Sequence, residues 1–319
     1  MERAFRKECN TQGIVLFVYK MIMSTAVTVA MLFGIVGHLL SNMGASIDDL
    51  LLYLPDIVME VSGWGYLLAI AVGLTVLFLW KKPTYIRNEI FKKGRPMGVG
   101  SFITILCVFM AAQMVSQIGL NIMDAILGVF GKSMSAYLES ASVDTSAISM
   151  WLYAGLGAPI FEEILFRGLL MRSLEPYGKR ISIVVSALLF GFYHGNPVQT
   201  PYAALVGLVL GYVAMEYNII WAMVLHMFNN LIFADSFARL LQDLPLDVQN
   251  TIVYAVMVAF ALAAVILLIV KRKRVVEEFK KEKILAWQYN GAFLSPMMLI
   301  VYASCIGDMA LFMLMVLFA

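Results

Sequence analysis

Residues 62–80 read SGWGYLLAIAVGLTVLFLW and give way at 81–96 to KKPTYIRNEIFKKGRP, and this change of character sets the fold. The first stretch carries no charge and nearly crosses the hydrocarbon of a bilayer, about 30 Å thick, at about 1.5 Å per helical residue. A backbone in lipid must satisfy its own amides, so such a stretch is a helix. The second stretch is crowded with Lys and Arg, the mark of a cytoplasmic connection. Comparable apolar runs fall at 14–40, 98–130, 147–171, 181–195, 201–216, 219–236, 250–270 and 291–319.

Composition agrees. The chain of 319 residues is 61% apolar and 14% charged, against about half and about a quarter for a soluble domain. The expected fold is all-α, a polytopic transmembrane helix bundle of eight or nine spans. The count turns on 181–216, which reads as two short helices or one broken pair. Segment 41–61 holds Asp48, Asp49, Asp56 and Glu60 with no basic residue, whereas 81–96 and 271–283 are strongly basic. A cytoplasmic N-terminus leaves only Lys132 and Arg239 outside, so the positive-inside bias fixes the orientation. The first apolar run is too long for a signal-peptide core and reads as a signal anchor. Three parts are expected: N-terminal helices at 1–145, a core at 146–236, and C-terminal helices at 237–319. Within the last, 271–290 (KRKRVVEEFKKEKILAWQYN) is expected to form an amphipathic helix on the inner surface. Cys9, Cys107 and Cys305 have no partner at metal or redox spacing and read as structural.

Ionisable groups inside apolar helices cost at least about 2.5–3.5 kcal/mol each on insertion scales, so each needs a partner or a role. His38 reads as interfacial, Asp124 as facing a polar crevice, and Asp308 as a lone packing contact. The stretch 160–231 is denser. In IFEEILFRGLLMR, Glu163 and Arg167 share a helix face and can pair, while Glu162 points about 100° away. In FGFYHG, Phe190 and His194 share a face. In LHMFNN, His226 and Asn230 do the same. Packing in membranes normally uses Ser, Thr, Asn or Gln. Two carboxylates, a guanidinium and two imidazoles exceed that need, and a common cavity is the economical solution.

Glu162-Glu163-x-x-x-Arg167, Phe190-x-x-x-His194 and His226-x-x-x-Asn230, in this order on successive apolar helices, resemble the CPBP family. This is the group of CaaX proteases and bacteriocin-processing (Abi) proteins that includes the eukaryotic endopeptidase acting on prenylated Ras-type proteins. The resemblance covers about a quarter of the chain, residues 150–235. Other intramembrane protease classes fit poorly. There is no His-Glu-x-x-His zinc helix, no Gly-x-Ser-x-Gly elbow, and Asp308 lacks the glycine pattern and partner of an aspartyl site.

Peptide hydrolysis needs a base for water, donors for the oxyanion and an acid for the leaving amine. From the residues, Glu162 serves as base and then acid, His194 holds the same water, and His226 with Asn230 donates to the oxyanion. Glu163 and Arg167 lock the helix that presents Glu162, with Phe190 supporting. The resemblance implies the same division of roles. It also raises a metal: Zn2+ held by Glu162, His194 and His226 is the alternative, and a metal-free glutamate-activated water is preferred. Counted along the helices, Glu162 and His226 lie about 11–15 Å from the cytoplasmic boundary and His194 about 20 Å, so a short or tilted helix must bring His194 level. Gly191 and Gly195 would permit the close approach.

The expected function is an intramembrane endopeptidase at the bacterial cytoplasmic membrane. Its use would be in peptide or bacteriocin maturation, self-immunity or control of membrane regulators. The expected partners are membrane lipids and a peptide or membrane-protein substrate, with no nucleic acid. An ion-coupled transporter and a non-catalytic relative regulating a membrane sensor are the alternatives.

Overall fold

The computed structural model describes residues 1–42, 46–140 and 147–318, with all side chains among them except those at 47, 51, 55, 139, 140, 274 and 279. The expected boundary at 145/146 lies outside these residues. The fold is a helical bundle with no strand among the described residues. Among the described residues nine long elements follow one another: α1 (Glu2–Ser41), α2 (Ile47–Trp80), α3 (Val99–Gly128), α4 (148–174), α5 (Lys179–Tyr193), α6 (Gln199–Glu216), α7 (Ile219–Leu241), α8 (Leu246–Val270) and α9 (Pro296–Phe318).

Six of these (α1, α3, α7, α8, α9 and the Asp56–Trp80 part of α2) are long and apolar enough to cross a membrane. The expected eight or nine spans are therefore not reached by this measure. The three others are shorter or more polar. Charged Glu162, Glu163, Arg167 and Arg172 lie along α4, α5 has 15 residues, and the 18-residue α6 is polar at both ends.

Successive helices run in alternating directions, and the basic connections meet at one end. There Gly94 N–H donates to the Tyr217 carbonyl at 2.5 Å. Lys92 pairs with Glu175 at 3.1 Å, Arg172 with the same carboxylate at 2.8 Å, and Arg95 and Lys179 with Glu216. Burial works against the charged form of Glu175, but Arg172 and Lys92 hold its carboxyl below the usual range. Phe5 of α1 packs edge-on against Tyr177 and Trp287 at this same end. Leu127, Met134, Val198 and Val316 form a small apolar cluster at the other end.

Several expectations change here. The stretch 271–290 is two helices, Arg272–Lys280 and part of Ala286–Leu294, separated by 281–285. The second is docked into the bundle: Gln288 is buried, and its Nε2 donates to the Tyr177 carbonyl at 2.6 Å. Asp124 faces no crevice. It accepts from the Ser133 hydroxyl and the Ser135 N–H, both at 3.0 Å, and so anchors the start of the short helix Met134–Ser140. Asp308 does not stand alone, because Lys20 of α1 pairs with it at 2.5 Å and also donates to Ser304. His38 lies at the exposed end of α1 with its ring 5.5 Å from Tyr53. The three cysteines are buried and free.

Close approach of α5 and α6 does use Gly191, as expected. A Cβ there would lie 2.6 Å from the Thr200 carbonyl oxygen, and one at Gly207 would lie 2.9 Å from the Ala187 Cα. Gly119 in α3 has open space around it. We expect Gly191→Leu to lower stability by about 1–3 kcal/mol through overpacking, read as thermal unfolding in detergent. Gly119→Leu should leave the unfolding temperature unchanged, and equal effects at both positions would refute the interface.

Candidate active site

Two of the helices that form the site depart from α geometry where the polar residues stand. In α4, π turns occupy Tyr153–Gly157 and Glu163–Met171; in α7 a π turn occupies Phe228–Ser236. The backbone at each joint stays in the right-handed helical region, so both helices pass through the site unbroken. The i→i+5 turns widen the helix, and such turns concentrate at functional sites. The two π segments pack on each other: a Cβ on Gly155 would fall 2.1 Å from Leu231 Cδ2, so a larger residue there requires the Leu231 side chain to shift.

Glu163 and Arg167 are both fully buried and pair at 2.9 Å. Arg167 also donates from Nη2 to the Gly207 carbonyl of α6 at 3.3 Å, and its Cζ lies 4.2 Å from the centre of the Phe190 ring of α5. The same Glu163 oxygen lies 3.0 Å from His226 Nδ1 on α7. A carboxylate only accepts, so Nδ1 carries the proton and the His226 Nε2 lone pair faces elsewhere. It faces Glu162, whose Oε2 is 3.8 Å away, beyond hydrogen-bond reach. The expectation that Glu163 is spent on Arg167 alone therefore grows. Glu163 also sets the tautomer of His226.

His194 follows the last residue of α5, with Nδ1 2.7 Å from the Phe190 carbonyl. The carbonyl accepts, so Nδ1 is protonated and Nε2 is the free nitrogen. The Phe190 ring stands edge-on to both imidazoles, 4.9 Å from His194 and 5.7 Å from His226. Helix α5 is short, as the depth argument required, and it ends through Gly195 at φ +60°, a conformation suited to glycine.

Asn230 links α7 to α4. Its Nδ2 donates to the Ala154 carbonyl of α4 at 2.8 Å, and its Oδ1 accepts from Asn229 at 3.0 Å. The π turn beginning at Phe228 carries it toward α4, which a uniform α-helical count from His226 does not anticipate. Asn229 extends the network, its Oδ1 accepting from Gln113 at 2.6 Å and Tyr202 at 3.1 Å. Trp151 donates to Asp235 at 3.2 Å nearby.

The Glu162 side chain is 24% exposed. It borders a cavity of about 20 Å³, together with Tyr19, Tyr153, Tyr193 and Phe161, which is room for about one water. A larger apolar groove of about 170 Å³ adjoins it, sharing Tyr19, Phe161 and Leu165 and reaching Ile14 and Trp80 near the basic end. The tyrosines escape a scan for ionisable groups because an aromatic in an apolar helix costs little. Asn229 had only its adjacency to Asn230 to mark it. As for a metal, no three His, Cys, Asp or Glu side chains among the described residues are gathered closely enough to hold one. Glu162, His194 and His226 as arranged do not form such a set.

Residues 144–232 match the family described as type II CAAX prenyl endopeptidase Rce1-like. All the motif side chains fall within that segment, in agreement with the resemblance that they carry. The match supports an intramembrane endopeptidase in general, on a multi-pass membrane protein. No curated protein and no solved structure matches the chain.

Removing one member of the buried pair should be costly. We expect Glu163→Ala to destabilise by about 3–5 kcal/mol, because Arg167 is left buried without its carboxylate. Glu163→Leu combined with Arg167→Met should lose clearly less. Thermal unfolding in detergent reads both, and a double variant that loses as much as the sum of the singles would refute the coupling.

Proposed function

We propose that the protein is an intramembrane endopeptidase in which Glu162 activates the water that hydrolyses a peptide bond of a membrane-associated peptide or protein. One observation carries this reading. Of two adjacent carboxylates, Glu163 is buried and engaged on both Arg167 and His226, whereas Glu162 borders a water-sized cavity. The Glu162 carboxylate and the His226 Nε2 lone pair are both acceptors 3.8 Å apart. A water donating to each suits that gap.

In the proposed reaction Glu162 removes a proton from this water, and the hydroxide oxygen bonds to the carbonyl carbon. The carbonyl oxygen takes the negative charge. When the C–N bond breaks, the proton on Glu162 passes to the amine nitrogen, which restores the carboxylate. His226, held by Glu163, keeps the water in line; His194 offers its free Nε2 at the far side of Phe190. No step uses a metal. Substrate would reach Glu162 along the apolar groove that starts near Trp80 and Ile14. By resemblance, the setting is a bacterial cytoplasmic membrane and the task peptide or bacteriocin maturation, self-immunity or control of a membrane regulator. Helices α4 and α7 run unbroken, whereas an ion-coupled carrier would call for a helix unwound at its site.

The test is cleavage of a peptide or membrane-protein reporter in membranes. Glu162→Gln and His226→Ala should each lower the rate by at least about 10²-fold, and Glu162→Gln should do so with normal membrane insertion and unfolding temperature. Chelator should leave the wild-type rate unchanged. Cleavage that survives both substitutions would remove the protease reading, and loss of wild-type activity with chelator would remove the metal-free mechanism.

A further inference from the structure

Asn230 has a donor to spare. Its amide carries two N–H groups, and the Ala154 carbonyl at 2.8 Å takes one of them. The other has no partner among the described residues. An amide presents such a donor to a substrate oxygen only while its own nitrogen and oxygen keep their places. A half-turn about the last side-chain bond exchanges the two. The Ala154 carbonyl accepts only, so it holds the nitrogen. The oxygen is held by Asn229, whose Nδ2 donates to Asn230 Oδ1 at 3.0 Å. Asn229 has the same two orientations open to it, and two further helices settle the matter. Its Oδ1 accepts from Gln113 of α3 at 2.6 Å and from Tyr202 of α6 at 3.1 Å. Gln113 Nε2 also donates to the Tyr202 hydroxyl at 2.8 Å, so the phenol receives one hydrogen bond and passes on its only proton. With two donors on its oxygen, Asn229 turns its nitrogen to Asn230.

We infer that Gln113, Tyr202 and Asn229 are positioning residues that fix the amide orientation of Asn230 and so keep its second N–H available to the oxyanion. Every bond in the series runs one way, from Gln113 through Asn229 to Asn230 and on to Ala154. Networks of amides and hydroxyls also join helices in membranes; this one in addition selects one of two orientations at a motif side chain. A satisfied polar network is rigid in a low-dielectric interior. A donor held by it stabilises charge where it develops, without reorganising during the reaction. The protons of the Asn230 amide stay on its nitrogen throughout. Gln113 lies outside the matched segment 144–232, so α3 contributes to a site whose motifs are all elsewhere.

This inference rests on the hydrolytic reading above and on Asn230 as an oxyanion donor, and the experiment separates the three. The full chain is purified, and kcat and KM are measured on the reporter for wild type, Glu162→Gln, Asn230→Ala, Asn229→Leu and the Asn229→Leu/Asn230→Ala double variant. Asn230→Ala should lower kcat by about 10²-fold with KM little changed. Asn229→Leu is similar in size and has no amide, and it should lower kcat by at least about 10-fold through misaiming of Asn230. The double variant should match Asn230→Ala, because Asn229 acts through Asn230 alone. Gln113→Leu combined with Tyr202→Phe leaves Asn229 in place but free to turn over. Its kcat should fall in the same way, and it carries the test where Asn229→Leu does not fold. Gln117→Leu removes a contact with Asn121 one turn along α3 and should keep the wild-type kcat. Active Glu162→Gln would overturn the hydrolytic reading. Wild-type kcat in Asn230→Ala would overturn the donor role and the inference with it. Slow Asn230→Ala beside fully active Asn229→Leu would overturn the positioning assignment alone. So would a double variant slower than Asn230→Ala by the factor that Asn229→Leu costs the wild type, the result that a packing role gives.

Discussion

The Glu163–Arg167 pair is the interaction on which the rest of the structure depends. Both side chains have no exposure, and a buried ion pair is sustained only where further contacts offset its desolvation. Those contacts come from three other helices: the Gly207 carbonyl of α6, the Phe190 ring of α5 and the His226 imidazole of α7. Each is useful only at a particular distance and angle. The charge buried in α4 therefore fixes the relative positions of the four helices that hold the site. An apolar core would tolerate small slides among them; a shared guanidinium does not.

The same pair makes neighbours in sequence into groups of opposite character. Glu163 faces inward and is bound on two sides, so it is unavailable to a substrate. Glu162, one residue earlier, lies at the start of the π turn and borders the cavity. Because Glu163 accepts from the Nδ1–H of His226, Nε2 of that ring is aimed at Glu162. The buried carboxylate thus orients the imidazole toward the one that borders the cavity, an arrangement common where one side chain fixes the tautomer of another.

What could be read from the sequence follows from what each residue announces. Apolar runs declared the long elements, and Lys and Arg crowding marked the end where Lys92 and Arg95 of 81–96 meet Glu175 and Glu216. Spacing alone placed Glu163 beside Arg167 and Phe190 beside His194. The π turns had no such signature, and they decide where Asn230 points. Its partner is a main-chain carbonyl, which no list of side chains contains. Lys20 was hidden in an apolar run, so Asp308 looked solitary. Tyr153 was hidden for a different reason, since a tyrosine draws no notice among apolar neighbours until the cavity beside Glu162 is seen.

Lys20 and Asp308 also explain how the short helix α5 can end where it does. At about 1.5 Å per residue its 15 residues cover about 22 Å, less than the hydrocarbon thickness. Its last turn therefore finishes inside the bundle, where exposed carbonyls are expensive. Gly195, at φ +60°, turns the chain immediately after His194, and a Cβ there would meet the Asp308 Cβ at 3.0 Å. Helix α9 thus closes the end of α5 with a residue that Lys20 anchors from α1. The early stop brings the His194 ring to the same Phe190 side chain that His226 touches. A full-length α5 would carry it past the site. The ion pair between α1 and α9 lies outside the matched segment 144–232, so the depth of a residue within that segment is set by helices beyond it.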